Sequence, residues 1–249
     1  MKKIIRSRAD LLTAVLFALA TALLIGGAVG AARAVPTAES EYYSGGVEMF
    51  DIGVTLLENG NVVSSRTYSP NSRYVWDETK SALLGSLVDE GEDFHIGQTY
   101  TEKLAVQNSG RIDEFVRVTI YRYWLDKSGK KLTGLAPDMI DLNLLSGSDW
   151  VEDKDASSAE RTVLYYTGTL TPGATTPAFS DTLTVSDRLP YLVHQSETDS
   201  VITTTYDYGG VTFQVEVEVD AVQTHNAEDA IRSAWGRDVS VSGGALKLK

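Results

Sequence analysis

The stretch VTFQVEVEVDA, residues 211–221, decides how the rest of the chain is read. Val211, Phe213, Val215, Val217 and Val219 alternate with Thr212, Gln214, Glu216, Glu218 and Asp220. Successive side chains of a strand point to opposite faces, so a period of two specifies one buried face and one wet face, the pattern of an antiparallel sheet packed on one side. Upstream, VITTTYDY (residues 201–208) and the pair Gly209-Gly210 make this strand the expected second arm of a hairpin.

The same vocabulary of Val, Thr, Tyr and Phe punctuated by Gly, Asn, Asp and Pro runs back to Val47. In VEMFDIGVTLLENGNVVSSRTY, Asn59-Gly60 separates two strand-like runs, and this pair tolerates the positive φ of a type I′ hairpin turn. QTYTEKLAVQN and EFVRVTIYRYWL flank Ser109-Gly110-Arg111 and read as another hairpin, with Leu104, Val106, Val116, Val118 and Ile120 facing inward. Residues 69–96 lose the alternation and read as a long crossing connection with a helical turn near 80–88. Further strands are expected at residues 139–145, 162–166 and 178–185. Short strands with long crossings and little helix predict an all-β chain, an antiparallel jelly-roll-like sandwich spanning residues 47–236.

Beyond the deciding strand, THNAEDAIRSAWG places His225 beside Asn226, Glu228 and Asp229, which admits a metal or catalytic cluster. No second histidine stands at ligand spacing, however. The favoured reading is a helix start: Asn226 as N-cap, Asp229 returning the hydrogen bond as in a capping box, and Glu228 and Asp229 against the positive end of the helix dipole. Ala227, Ala230, Ile231, Ala234 and Trp235 then form one apolar stripe, through which Ile231 and Trp235 would clasp the sandwich. Gly236 stops the helix, and residues 237–249 follow as a C-terminal tail.

At the other end, the basic segment MKKIIRSRAD leads into the apolar run LLTAVLFALATALLIGGAVGA and then Ala32-Arg33-Ala34. Small residues at Ala32 and Ala34 before Val35 make an A-x-A cleavage site, so residues 1–34 read as a secretory signal peptide. The run, at about 20 residues, also suffices to span a bilayer uncleaved, which leaves a membrane anchor as the alternative.

Over 249 residues, 34 acids against 22 bases give a formal charge of −12. Residues 1–34 hold five bases (Lys2, Lys3, Arg6, Arg8 and Arg33) and one acid, Asp10, so the chain without them carries −16. Such a surface is poorly suited to phosphates of nucleic acid or anionic lipid. With no cysteine, disulfides, thiolate metal sites and cysteine nucleophiles are excluded. His95, His194 and His225 are isolated, and no H-E-x-x-H, G-x-S-x-G or phosphate-loop motif occurs. The expectation is therefore a protein that is not an enzyme, with no catalytic residue, cofactor or metal ligand assigned. The loop SGSDWVEDKDASSAE brings Asp149, Glu152, Asp153 and Asp155 together as a calcium candidate, but without the regular D-x-D-x-D-G spacing it reads as solvated charge. The tyrosines, among them Tyr121, Tyr123, Tyr165 and Tyr166, read as cross-strand packing, with a sugar platform as the alternative.

Three segments taken together, YYSGGVEMFDIGVTL after the signal, LAVQNSGRIDEFVRVTIYRYW and DAVQTHNAEDAIRSAWG, resemble the TasA/camelysin family of secreted biofilm-matrix proteins. The NSG-x-x-D-E-x-V-R-V run is the most specific part. The resemblance implies a jelly-roll domain, export through a dedicated signal peptidase, and polymerisation into extracellular fibres by donor-strand exchange. The partners it implies are further copies of the chain, other matrix proteins and the signal peptidase, with no nucleic acid and with membrane contact only through an uncleaved signal segment. The implied donor is residues 35–46, with Ser40, Tyr42 and Tyr43. Family members carry an aromatic-rich motif ending in S/T-D-T there, where this chain has Ser44-Gly45-Gly46. Two other functions stay open: a monomeric, membrane-anchored module that binds a polysaccharide or host protein, and a camelysin-like metallopeptidase, for which the chain lacks the motif.

Overall fold

The computed structural model describes residues 51–249 except 69–75, 81, 90, 146, 148, 190–192, 199–200 and 207–209, together with Leu12, Val15, Leu16, Ala18 and Leu19, which are helical. Residues 80, 193–198 and 201–206 are described as backbone only. The chain divides into two compact units, Met1–Glu48 and Met49–Lys249. Ala32, Ala34 and Val35 at the expected cleavage site, and Ser40, Tyr42 and Tyr43 of the candidate donor, lie outside the described residues. Among those described, no helix is long and apolar enough to cross a membrane.

The second unit is all-β with antiparallel sheets and one helix. Its strands are β1 (Ile52–Glu58), β2 (Asn61–Tyr68), β3 (Trp76–Lys80), β4 (Thr99–Asn108), β5 (Glu114–Leu125), β6 (Lys131–Leu132), β7 (Ile140–Leu144) and β8 (Trp150–Glu152). After these come β9 (Arg161–Tyr166), β10 (Ser180–Val185), β11 (Val193–Thr198), β12 (Val201–Tyr206) and β13 (Thr212–Gln223). A helix, α1 (Ala227–Trp235), and the strands β14 (Val239–Ser242) and β15 (Ala245–Leu248) close the chain. One sheet runs β3-β2-β1-β4-β10-β7; the other runs β13-β5-β9-β8, with β6 beside β5. Val54, Leu56, Leu104, Val106 and Leu183 of the first sheet meet Val116, Val118, Ile120, Val215 and Val219 of the second in one core.

The turn at Asn59-Gly60 has φ of 51° and 86°, as a type I′ hairpin requires, and joins β1 to β2. β7, β9 and β10 occupy the three further strand positions expected from sequence. Two expected hairpins are corrected. β4 and β5 do not pair with each other but lie in opposite sheets, although all five of their inward-facing residues are buried as expected. The reason lies in the connection. The Asn108 side-chain amide donates to Ile112 O at 2.7 Å and Leu170 O at 2.8 Å, and its oxygen accepts from Gly110 N–H at 2.8 Å, so the chain folds over the end of the sandwich. A Cβ on Gly110 would lie 2.5 Å from Asp51 O, which only glycine avoids. Glu114, wholly buried, accepts the Gly53 N–H at 2.8 Å and fixes the start of β5 against β1.

β12 likewise pairs with β11, while β13 pairs with β5 along its whole length, from Thr212↔Leu125 to Gln223↔Glu114. The Gly-Gly pair signals a turn but does not choose the partner. The apolar face of β13 does so by joining the core beside Val118 and Ile120. Within residues 69–96 the structure adds β3, and residues 83–86 make turns instead of a helix.

Residues 237–249 are not a tail. β14 and β15 form a hairpin through Gly243-Gly244, both at positive φ, and bury Val239 and Leu246. These join Ala227 and Ile231 of α1 in a second core with Phe115, Val163, Tyr165 and Val222 of the five-stranded sheet. Strand β5 is therefore buried on both faces at its start.

Candidate functional site

The long strand that decides the fold is also the end strand of its sheet. Its 12 residues pair with β5 on one side, and among the described residues no strand pairs with the other. The Val219 carbonyl accepts from Arg66 Nη1 at 3.1 Å, so it points away from β5. In an antiparallel strand the polar groups of alternate residues share a direction, which puts the N–H and C=O of Phe213, Val215, Val217 and Ala221 on that same open edge.

A shelf extends beside this edge. β13 packs against β1, and the six-stranded sheet continues past it through β2 and β3. Register places Arg66 opposite the core residue Val54 and Glu78 opposite Arg66, so both stand on the inward face of the shelf, followed by Tyr68 and Trp76. Trp76 and Tyr68 pack at 5.5 Å, and the Arg66 guanidinium sits 4.9 Å over the Trp76 ring.

Arg66 crosses from shelf to edge. It pairs with Glu78 at 2.7 Å, with Glu218 at 3.6 Å and with Asp220, which Arg117 holds from the other side at 2.6 Å. Asp220, on the face expected to be wet, is thus largely buried between two arginines. Its main effect is to bend Arg66 around the edge at Val219. From Phe213 to Val217 no described side chain covers the open groups in this way.

The other sequence-singled residues fall elsewhere. Asn226 stands at the helix start, but in left-handed geometry (φ 50°, ψ 43°) and with no side-chain capping bond, because that backbone turns the side chain away from the first-turn N–H groups. Asp229 returns no capping-box bond either; it is exposed, 4.0 Å from Arg232. Glu228 instead accepts the Val241 N–H at 2.9 Å, tying α1 to the last hairpin. Ile231 is fully buried, Trp235 packs edge-on to Tyr165 at 5.5 Å under the Arg117 guanidinium, and Ala234, expected on the apolar stripe, is exposed. His225 is exposed and not drawn to its neighbouring acids.

In the acidic loop, Asp153 is buried and bound by Arg237 at 3.0 Å, correcting the expectation of solvated charge at that position; Asp155 reaches the same arginine at 3.2 Å. Asp149 sits apart at positive φ, its carbonyl receiving the Thr167 N–H and hydroxyl. Among the described residues no group of three His, Asp or Glu side chains converges as a metal site would require.

Three buried carboxyls escaped the sequence reading. Burial pushes Glu114 up to about 8, against the partial relief of the Gly53 N–H. Burial, and then the neighbouring Glu58 carboxyl, raise Glu102 well above the ordinary carboxylate range, so a protonated Glu102 can share its hydrogen with Glu58. Glu58 in turn accepts the Leu84 N–H at 2.6 Å. Parity would have found them: Glu102 and Glu58 stand at inward positions of alternating strands, as Arg66 does.

No protein-family model matches the chain, and comparisons with curated proteins and with solved structures find no match.

Proposed function

We propose that this protein is a secreted structural subunit of an extracellular fibre or matrix, a jelly-roll-like sandwich that assembles by strand exchange between copies. The observation that carries the reading is the open edge of β13, paired on one side only among the described residues and flanked by the β2–β3 shelf. An unpaired strand of this length templates another strand, and folds that must remain monomeric blunt such edges. Among the described residues the one side chain hydrogen-bonded to this edge is Arg66, at Val219. The other ends of the two sheets are much shorter: five residues in β3, five in β7 and three in β8.

The donor in this reading is residues 35–46, released at Val35 when the signal is cut, a segment as long as β13 itself. Cleavage then acts as the assembly switch, and the incoming main chain replaces the Arg66 contact at Val219. A chain carrying −16 repels itself, so acid or divalent cations promote assembly and low salt opposes it.

Electron microscopy of protein processed at Val35 tests the reading. Filaments should form on acidification or with added divalent cation, and a variant lacking residues 35–46 should stay monomeric. Monomers under every condition, or filaments unaffected by that deletion, would refute strand exchange.

A further inference from the structure

On the outer face of the five-stranded sheet lies a cleft of about 370 Å³ that the fibre reading leaves without a task. Its floor is Thr119 of β5 and Val163 of β9, both buried; Tyr121 extends the floor, and Trp235 and Arg237 close one end where α1 ends. Volumes of roughly 300–1,000 Å³ are those of small-molecule sites.

The polar groups around it are balanced. Arg117, Arg161 and Arg237 face Asp153, Asp155 and Glu218, three charges of each sign. Two of the arginines are already committed: Arg117 to Asp220 at 2.6 Å, and Arg237 to the buried Asp153 at 3.0 Å. Arg161 is exposed, and its Nε donates to the Ala156 carbonyl at 2.9 Å; among the described residues no carboxylate pairs with it. Across the floor, Glu218 is about half exposed, with Arg66 at 3.6 Å from its carboxylate. Arg161 and Glu218 stand on β9 and β13 with β5 between them, two strand spacings across and two residues out of step, about 12 Å apart along the diagonal.

A donor on one wall, an acceptor on the other, a hydroxyl on the floor and aromatic rings at the margin suit a ring that carries hydroxyls on both edges and C–H groups on its faces. A free anion would meet Glu218 and Asp155, and a free cation would meet Arg161 and Arg237. We infer that this cleft binds a neutral sugar unit of a polysaccharide, with Arg161 and Glu218 holding hydroxyls on opposite edges of the ring over Thr119. The inference does not need strand exchange: the cleft uses the Glu218 side chain on the outer face of β13, whereas exchange uses the main-chain groups of its open edge.

The test is calorimetric titration of the purified full-length chain with cellotetraose, maltotetraose and laminaritetraose, alongside trigalacturonate and chitosan tetramer as charged comparators. At least one neutral tetrasaccharide should bind with Kd under about 1 mM. Arg161→Ala, at an exposed position, and the near-isosteric Thr119→Val should each weaken that binding at least about tenfold while leaving the melting temperature within a few degrees. The inference is overturned if no neutral tetrasaccharide binds, if a charged oligosaccharide binds more tightly, or if both variants bind as the parent does. A synthetic peptide of residues 35–46 that displaces the sugar would also overturn it.

Discussion

Strands β5 and β13 are each 12 residues long and pair with one another residue for residue, yet among the described residues one is paired on both edges and the other on one. β5 has β13 on one edge and β9 on the other, a core on its inner face, and α1 with the last hairpin over the start of its outer face. β13 shares the inner core but among the described residues has one paired edge, and Glu216 and Glu218 of its outer face are exposed. The difference separates stability from function. Both edges of β5 are paired within the domain, whereas among the described residues the outward groups of β13 have no partner strand.

Proline breaks this comparison most sharply, because it removes one N–H. At Ile120 in β5 both edges are in use, so Ile120→Pro forfeits a ladder bond in the core, costs about 3 kcal/mol or more, and should prevent folding as judged by circular dichroism. At Val217 the N–H faces the open edge, so Val217→Pro should fold and melt cooperatively yet form no filaments. Filaments from Val217→Pro would place assembly elsewhere.

The next effect is on pH. Glu114 opens β5, and its folded pKa of about 8 lies above the ordinary value of 4.5, as Glu102's is also raised. For a raised carboxyl the folded state holds the proton more tightly, so the stabilisation is complete below about pH 4.5 and is lost as pH rises through 8. The loss is steepest between these limits, where the folded carboxyl holds a proton that the unfolded one has released. Urea midpoints measured from pH 5 to pH 8.5 should therefore fall, and Glu114→Gln should flatten the dependence. A midpoint that climbs over this range contradicts the assignment.

A smaller loss is expected at the corner that delivers the chain into β5. Gly110→Ala sets a methyl against Asp51 O and should destabilise the domain by about 1–3 kcal/mol, read as a lower urea midpoint; no change would remove the corner's role. Smaller still, Trp235→Ala strips an edge-on ring and a cation–π contact from the outer face above β5. It should lower the melting temperature by a few degrees, equivalent to about 1–2 kcal/mol, without altering filament formation.

The same contrast explains what could be read from residues alone. β13 is legible because one of its faces is wet: alternation is visible only when the two faces differ, and it gave the fold class, the inward residues Val215 and Val219, and a strand in the right place. Its partner was not legible, since alternation fixes a face and leaves the neighbour open. The corner at Asn108, Gly110 and Glu114 looked like a hairpin turn because Ser-Gly-Arg has hairpin-turn chemistry. What makes it a crossing between sheets is a long-range bond from Asn108 to Leu170, 62 residues away. The C-terminal hairpin was missed because VSVS and ALKL are four residues each, too short for a period to declare itself. Arg66, which lies across the open edge, gives no local signal. Its role appears only once register sets it on the inward face, opposite Val54.

The central claim is that the open edge of β13 accepts a strand from another copy, and amide hydrogen exchange read residue by residue across this strand tests it directly. The amides of Gln214, Glu216 and Glu218 point to β5 and should be slow in monomer and filament alike. Those of Phe213, Val215 and Val217 point outward and should exchange fast in the monomer and slowly in the filament. Outward amides that exchange equally fast in both states would show that the filament is built without this edge and would contradict the account.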